Sequence, residues 1–217
     1  TGDMHANDIS WDYNTGIHIT TEQLGVAMGE AAKIIGHKVD IYGSDASLMA
    51  MAEVAGEMKD SVSVFVGSQE TEPGDGWPYA TFLADWAKNP AMTAQQVGAT
   101  LSKDYTNAYS GGIYGNQDVT FSAFDMSHYD SLVAAVKTLA ADLNGLSGSQ
   151  LKAVKSAASN AQAFYDADYK DLFDFVAGVE KSNVQVQATT LADVKKAVQT
   201  FVIAVDSTSG YKDAHGL

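Results

Sequence analysis

Residues 39–66 read VDIYGSDASLMAMAEVAGEMKDSVSVFV, and this stretch decides the fold. Its two ends, residues 39–42 and 62–66, are short and rich in β-branched and aromatic side chains, which predicts strands. The segment between them, residues 48–58, has the apolar spacing of an α-helix. Since parallel strands need a long connection, a helix between two strands predicts a parallel crossover. The stretch therefore indicates an α/β protein.

Further elements extend outward from this unit. Thr20 and Thr21 cap a helical pattern that ends at Gly36, and a strand is predicted over residues 118–124. Other helical patterns cover residues 79–88, 93–109, 127–143, 149–164, 167–179 and 190–205. We divide the chain into a polar tail over 1–16, a core over 17–145 and a mostly helical C-terminal subdomain over 146–217, because residues 145–148 carry the best internal turn signal.

Composition limits the classes of partner. The chain has 217 residues, with 27 acidic residues against 13 lysines and no arginine, and a formal net charge of −14. This charge argues against nucleic acids and anionic membrane surfaces as partners, and it favours cationic ones. The absence of cysteine excludes disulfides and thiolate metal sites. No apolar run reaches the ~18–20 residues of a membrane-spanning helix.

Candidate polar residues follow both strands of the crossover. Asp45 comes after the first strand and Asp75 lies in the loop after the second, so the two carboxylates either face one pocket or are ordinary turn residues. Ser47 stands at the start of the predicted helix, either as its N-cap or as a nucleophile at the positive end of the helix dipole. Because the Gly-x-Ser-x-Gly frame is missing, the local pattern favours the N-cap.

Histidines and aspartates give no pattern of a metal site. The five histidines have no pair at metal-ligand spacing, and we interpret each as a surface residue. The cluster Asp166, Asp168, Asp171 and Asp174 lacks the glycine and terminal glutamate of a calcium loop. We interpret it as a solvated helix face.

Four segments resemble the clostripain-like cysteine peptidases. The segments DASLM at 45–49 and AEV at 52–54 are similar to the family's nucleophile segment, Asp-Ala-Cys-Leu-Met-Gly followed by Glu-Val. Residues 68–79, SQETEPGDGWPY, resemble its Ser-x-Glu-x-Glu-Pro-Gly-x-Gly-Trp-x-Tyr loop. Residues 9–12, ISWD, and 171–175, DLFDF, resemble two further family motifs.

The resemblance implies a fold and a chemistry. It implies a caspase-like three-layer sandwich with a mainly parallel central sheet, and catalysis by a cysteine nucleophile with a histidine partner. The nucleophile position is Ser47 here, and the family's His-Gly motif is missing, since His5 is followed by Ala6. We therefore expect the histidine on a separate N-terminal light chain of the same precursor, which would also complete the sheet. We expect this chain to be the heavy chain, and to be inactive because its nucleophile is replaced.

The resemblance also implies a substrate class. Clostripain relatives cleave after arginine or lysine, so we expect Asp45 and Asp75 to bind a basic P1 side chain, with Thr71 and Trp77 in the pocket wall. Substrates would be basic peptides or proteins, and the protein would be secreted or on the surface of a bacterial cell. No cofactor is implied, although a calcium requirement stays open. The alternative is a natural pseudopeptidase that binds basic peptides, and the least favoured interpretation is an acidic extracellular domain without catalytic history.

Overall fold

The computed structural model describes residues 8–10, 12–182 and 184–217, and it contains both helices and strands. The strands are β1 (Asp8–Ile9), β2 (Ile19–Thr20), β3 (Val39–Gly43), β4 (Val62–Gly67), β5 (Ser110–Gly112), β6 (Gly115–Asn116), β7 (Thr120–Asp125) and β8 (Val202–Ser207). The α-helices are α1 (Thr21–Ile35), α2 (Ala52–Glu57), α3 (Tyr79–Lys88), α4 (Ala94–Tyr109), α5 (Tyr129–Asn144), α6 (Gly148–Asn160), α7 (Leu172–Lys181) and α8 (Ala188–Phe201). Short 3-10 turns cover Met126–His128 and Ser209–Tyr211.

The central sheet has four strands in the order β3-β4-β7-β8. The predicted crossover is confirmed, because β3 and β4 are parallel with Ile41 opposite Val64. The pairs β4–β7 and β7–β8 are antiparallel. The sheet is thus mixed, where a mainly parallel one was expected. The number of helices between the strands explains this. The single helix α2 carries the chain back to the end of the sheet where β3 began, so β4 runs parallel to β3. Two α-helices follow β4 and four follow β7, and an even number brings the chain back to the end of the sheet that it left.

Helices cover both faces of the sheet. Phe65 of β4 and Phe124 of β7 pack into one core with Leu24, Leu132 and Phe201, which come from α1, α5 and α8. Val64 and Val66 point to the other face, where they join a core built largely from α4. This alternation follows from the two-residue period of a strand. The α/β class and the helix–sheet–helix layering are confirmed.

Capping explains where two of the longer helices begin. At α1, the Thr20 hydroxyl accepts a hydrogen bond from the Gln23 N–H, and the Gln23 side chain bonds back to the Thr20 N–H. Thr93 and Gln96 make the same capping box at α4. Each box satisfies two donors that a helix start leaves free. Gly36 ends α1 in the left-handed conformation, with φ of 84°.

The C-terminal third of the chain contains a strand that the sequence pattern had assigned to a helix. The helix expected over 190–205 ends at Phe201, and Val202–Ser207 pairs with β7. Residues 146–217 contribute β8 to the sheet and α7 and α8 to a core shared with residues 17–145, and the division into a core and a mostly helical C-terminal subdomain stays a prediction. At the other end, β1 lies in the predicted tail and pairs antiparallel with β2, which follows the tail. Residues 1–7 and 11, which include His5, lie outside the described residues.

Candidate active site

Ser47 lies in a sharp turn between β3 and α2. The helix predicted from residue 48 begins at Ala52, with Met51 as its N-cap, so the interpretation of Ser47 as a helix cap is wrong. The next residue, Leu48, is buried and has a φ of 61°, a left-handed conformation that costs a non-glycine residue about 1–3 kcal/mol. The Leu48 N–H donates to the carbonyl oxygen of Glu70 at 3.2 Å, and this contact with the loop after β4 replaces the first helical turn.

The Ser47 hydroxyl points at that same loop. Its Oγ accepts a hydrogen bond from the backbone N–H of Glu72 at 2.9 Å, and the residue is only 4% exposed. A thiolate at this position would accept the same hydrogen bond from the Glu72 N–H, and this hydrogen bond would favour the charged form of the thiol. The turn therefore sets residue 47 at the carboxyl end of β3, where open α/β sheets place their ligands.

Asp45, two residues before Ser47, accepts hydrogen bonds from residues of the loop that follows β4. The Tyr79 hydroxyl donates to its Oδ2 at 2.8 Å, and the Trp77 backbone N–H lies 3.5 Å from the same oxygen. Gly76 allows this approach, because a Cβ there would lie 3.2 Å from both carboxylate oxygens. Partial burial, together with the bond to Asp45, raises the pKa of Tyr79 to about 12.

Glu72 is a member of the site that the reasoning from spacing missed. The Trp77 Nε1–H donates to its two carboxyl oxygens at 3.1 and 3.3 Å. Burial, then a hydrogen bond to Asp45 and the negative charge of that carboxylate, raises the pKa of Glu72 to about 10. The raised pKa favours the neutral form of the Glu72 carboxyl group at neutral pH.

The remaining predicted residues differ in their placement. Trp77 is buried, with its ring edge-on to Phe121 at 5.3 Å between centroids, and it forms a wall beside Asp45. Thr71 is half-buried, and its backbone N–H donates to a carboxyl oxygen of Glu70. Asp75 is exposed in the same loop, and its contact with a basic P1 side chain stays a prediction. The resemblance of residues 68–79 indicated this loop, but strand-end spacing does not tell which of its carboxylates turns inward.

Tyrosines brace the loop of residues 68–79 from three directions. Tyr109 of α4 donates to the Gly76 carbonyl oxygen at 2.8 Å, and Tyr114 donates to that of Trp77 at 3.3 Å. From the C-terminal segment, Tyr211 donates to the buried Glu70 carboxylate at 2.6 Å. These contacts fix the loop against both α4 and the end of the chain.

The acidic segment at residues 166–174 has a structural role. Asp171, predicted on a solvated face, is fully buried and caps α7 by accepting from the Asp174 N–H. Its other contacts are the backbone N–H and the ring nitrogen Nδ1 of His215, at 2.6 and 3.2 Å. His215, expected on the surface, is half-buried and stacks on Phe173.

The described residues contain neither a metal-binding cluster nor a membrane-spanning helix. No cluster of three or more acidic or histidine side chains there is arranged to hold a metal ion. Within the same residues, no helix combines the length and the apolar character that crossing a membrane requires. A calcium requirement stays a prediction.

Comparison with known proteins supplies a family and a fold. The model of the Clostripain family matches residues 2–214. A clostripain from Bacteroides thetaiotaomicron, in complex with the peptide inhibitor BTN-VLTK-AOMK, is 18% identical, with a TM-score of 0.72 over 96% of this chain and 88% of that one. A cysteine protease of B. fragilis is 20% identical, with a TM-score of 0.63 over 96% and 86% of the two chains. A secreted cysteine protease of B. thetaiotaomicron is 20% identical, with a TM-score of 0.66 over 87% of this chain and 48% of that one. No curated protein matches the chain.

Proposed function

Since the chain belongs to the clostripain family, we propose that it is the nucleophile-bearing heavy chain of a secreted bacterial endopeptidase that cleaves after basic residues. The observation that carries this proposal is the strained turn at the end of β3, which sets residue 47 beside the loop of residues 68–79. A nucleophile needs such a turn, because its side chain must stand clear of the strand to meet a substrate carbonyl.

The proposed chemistry is acyl transfer through residue 47. A cysteine thiolate there would attack the carbonyl carbon of the scissile bond, and the amine would leave with a proton from a histidine. Water would then hydrolyse the thioester. The Glu72 N–H would stabilise the thiolate, and the N–H of residue 47 would bind the oxyanion. Because a serine hydroxyl is far less acidic than a thiol, we propose that the chain with Ser47 is inactive.

Two observations support a basic P1 residue. Asp45 stands two residues before Ser47, with Trp77 as an aromatic wall beside it. A carboxylate next to an aromatic face suits a cationic side chain. In the similar Bacteroides clostripain, the bound peptide VLTK ends in lysine. We include Thr71 in the wall and assign Asp75, which is exposed, to the rim of the pocket.

A light chain from the same precursor would complete the enzyme. β3 is the end strand of the sheet formed by the described residues, and α1 beside it exposes Val26, Ile34 and Ile35. An open strand edge next to apolar side chains suits an added strand. This partner would also supply the catalytic histidine. Secretion is supported by the similarity to a secreted cysteine protease of B. thetaiotaomicron.

The hydrogen bond already accepted by the Ser47 hydroxyl favours a second candidate function, that of a pseudopeptidase. Its Oγ is already bonded to the Glu72 N–H, and the surrounding residues of the site are intact. A pseudopeptidase that binds basic peptides without cutting them would have these features.

The test is the variant Ser47→Cys, produced with the preceding segment of its precursor. We expect cleavage after arginine and lysine, and alkylation of the new thiol at neutral pH, because the Glu72 N–H lowers the pKa of the thiol. Ser44→Cys is the matched control, since Ser44 is buried in the same loop but has no backbone N–H donor to its side chain among the contacts of the described residues. A Ser47→Cys enzyme that cuts no basic peptide and reacts no faster than the Ser44→Cys control would contradict the proposal.

A further inference from the structure

Glu70 is a buried residue that joins the nucleophile turn, residues 47–48, to the C-terminal segment. Its carbonyl oxygen accepts a hydrogen bond from the Leu48 N–H at 3.2 Å. Its carboxyl group contacts the C-terminal segment instead, because Oε2 accepts from the Tyr211 hydroxyl at 2.6 Å. Glu70 is only 4% exposed, and a buried carboxyl group is unfavourable without hydrogen bonds. A change at Tyr211 therefore reaches the nucleophile turn through one residue.

The two carboxyl oxygens of Glu70 match the donors that surround them. Oε1 accepts from the Thr71 N–H at 2.6 Å, so each oxygen meets a donor. A carboxylate accepts at both oxygens, whereas the amide of a glutamine would present an NH2 group to one of the two donors. Burial, and then the bond to Glu70, raises the pKa of Tyr211, so its hydroxyl stays protonated at neutral pH and can donate.

The segment that carries Tyr211 is anchored two residues before β7. There the Asp118 Oδ1 accepts from the Thr208 hydroxyl at 2.9 Å and from the Gly210 N–H at 3.0 Å. Gly210 permits this approach, since a Cβ there would collide with the Asp118 carboxyl group. The adjacent Tyr211 hydroxyl is therefore presented to Glu70 from a fixed position that does not depend on the loop of residues 68–79.

The position of Glu70 also affects the donor to residue 47. Glu72 follows two residues later, and its N–H donates to the Ser47 hydroxyl at 2.9 Å. This bond and the one from the Leu48 N–H to Glu70 join the same loop to the nucleophile turn. Because Leu48 is held in an unfavourable left-handed conformation, the turn relaxes when the loop no longer supports it.

We propose that Tyr211 is a positioning residue for the nucleophile, and that it acts through Glu70 to hold residue 47 beside the Glu72 N–H. This inference rests on the proposed function and deepens it, because it makes the reactivity of residue 47 depend on the C-terminal segment. Loss of the Tyr211 hydroxyl leaves the Glu70 carboxyl group with one donor fewer, which favours a rearrangement of the loop that hydrates it. The nucleophile is then still present but poorly oriented.

The other end of the same loop is held by different tyrosines. Tyr109 and Tyr114 donate to the carbonyl oxygens of Gly76 and Trp77. The Trp77 wall therefore keeps its support when Tyr211 changes. A positioning role of Tyr211 thus predicts a loss in kcat with little change in KM.

The first test uses the Ser47→Cys protein, produced with the preceding segment of its precursor. We expect Tyr211→Phe to slow alkylation of the thiol at neutral pH about fivefold or more and to move its pH profile upwards, because a displaced Glu72 N–H favours the thiolate less. For peptides with a basic P1 residue, kcat should fall about fivefold or more while KM stays within about threefold. Tyr165→Phe, at an exposed tyrosine, is the matched control and should change none of these values.

A double-mutant cycle tests whether Tyr211 acts through Glu70. Glu70→Gln should slow alkylation at least as much as Tyr211→Phe, because it also disturbs the contact with Thr71. The variant with both changes should be no slower than Glu70→Gln alone, since the two changes break the same hydrogen bond. Losses that multiply would show independent effects and would overturn the path through Glu70.

Thermal unfolding separates positioning from a purely stabilising role. Tyr211→Phe removes one hydroxyl of a half-buried residue, so we expect a folded protein even where Glu70→Gln does not fold. A lower Tm of Tyr211→Phe, with unchanged alkylation and unchanged kcat, would show a structural role alone and would overturn the proposal.

Amide hydrogen exchange in the chain with Ser47 gives a readout that needs no activity. We expect Tyr211→Phe to speed exchange of the Leu48 and Glu72 N–H groups about fivefold or more. The Gln117 N–H, which makes a backbone hydrogen bond away from the nucleophile turn, is the control and should exchange at its original rate. Unchanged exchange at Leu48 and Glu72 would contradict the proposal.

Failure of this inference and failure of the proposed function have different signatures. A Ser47→Cys enzyme that is alkylated quickly and cuts basic peptides, and that Tyr211→Phe leaves unaltered, would overturn the role of Tyr211 alone. A Ser47→Cys protein that reacts no faster than the Ser44→Cys control and cuts no basic peptide would overturn the proposed function as well.

Discussion

Leu48 determines the direction of the chain at the site. Its left-handed backbone is unfavourable by about 1–3 kcal/mol, and burial of its side chain contributes about 1.5–3 kcal/mol in the opposite sense. The two effects are of similar size, so packing is sufficient to hold the turn. Without the turn, residue 47 would enter a helix, and its side chain would lose the contact with the Glu72 N–H.

Asp45→Asn tests the charge of the site at the same scale. The substitution keeps the shape of the side chain but removes the negative charge that we assign to the P1 contact. A charge-assisted hydrogen bond is worth about 1.5–3 kcal/mol, so kcat/KM for P1-arginine peptides should fall at least roughly tenfold in the Ser47→Cys enzyme. Unchanged cleavage after arginine, or a preference for P1 aspartate or leucine, would rule out the role of Asp45.

At the scale of elements, the start of α7 joins the end of the chain to the site. Asp171 caps α7 and holds His215, and the Leu172 N–H donates to the carbonyl oxygen of Leu217. Four residues before His215, Tyr211 bonds to Glu70, whose carbonyl oxygen accepts from Leu48. One connected set of hydrogen bonds thus supports both the C-terminal segment and the loops of the site.

The pH dependence of stability tests the His215 contact. The hydrogen bond to Asp171, with smaller effects of Asp213 and Asp174, raises the pKa of His215 above its usual value of about 6.5. A raised pKa means that the folded state binds the proton more tightly than the unfolded state. The contribution is therefore complete below about pH 6.5 and is lost as the pH rises through the raised pKa.

We expect His215→Ala to lower the free energy of unfolding in urea more at about pH 6 than at about pH 9. His37→Ala serves as the control, since His37 is exposed and makes its ring contact only with the adjacent Lys38 carbonyl among the hydrogen bonds of the described residues. Equal losses at both pH values for His215→Ala would contradict the linkage.

On the scale of the whole molecule, charge and an open sheet edge distinguish two regions. Residues 1–145 contain 19 of the 27 acidic residues and only 6 of the 13 lysines, whereas residues 146–217 are nearly neutral. The net negative charge therefore belongs to residues 1–145, the part of the chain that carries the site, which favours approach of basic peptides. The edge strand β3 and the apolar face of α1 belong to the same part.

The partner chain is testable through that apolar face. With the preceding segment of the precursor, we expect a tight complex that gives two bands on denaturing electrophoresis. Ile34→Glu should weaken the complex, because Ile34 is 86% exposed on α1 and would be buried by the partner. Ile113→Glu is the matched control, an exposed isoleucine in the turn between β5 and β6. A stable, well-folded monomer of this chain alone, with no companion in the native protein, would contradict the prediction.

Local patterns in the sequence were enough for the crossover of β3, α2 and β4 and for the cap at Thr20, because these depend on neighbours a few residues apart. The motifs at residues 45–49 and 68–79 likewise indicated the family and the loops of the site. The tertiary structure alone decided three points: the strand at residues 202–207, the turn at Leu48, and the hydrogen bond from the Glu72 N–H to the Ser47 hydroxyl. In each case a contact across the sheet or between two loops overrides the local preference. Residues 202–205 fit a helix or a strand until they pair with β7, and the Ser47 hydroxyl meets the Glu72 N–H only because the loop after β4 packs against the turn at Leu48.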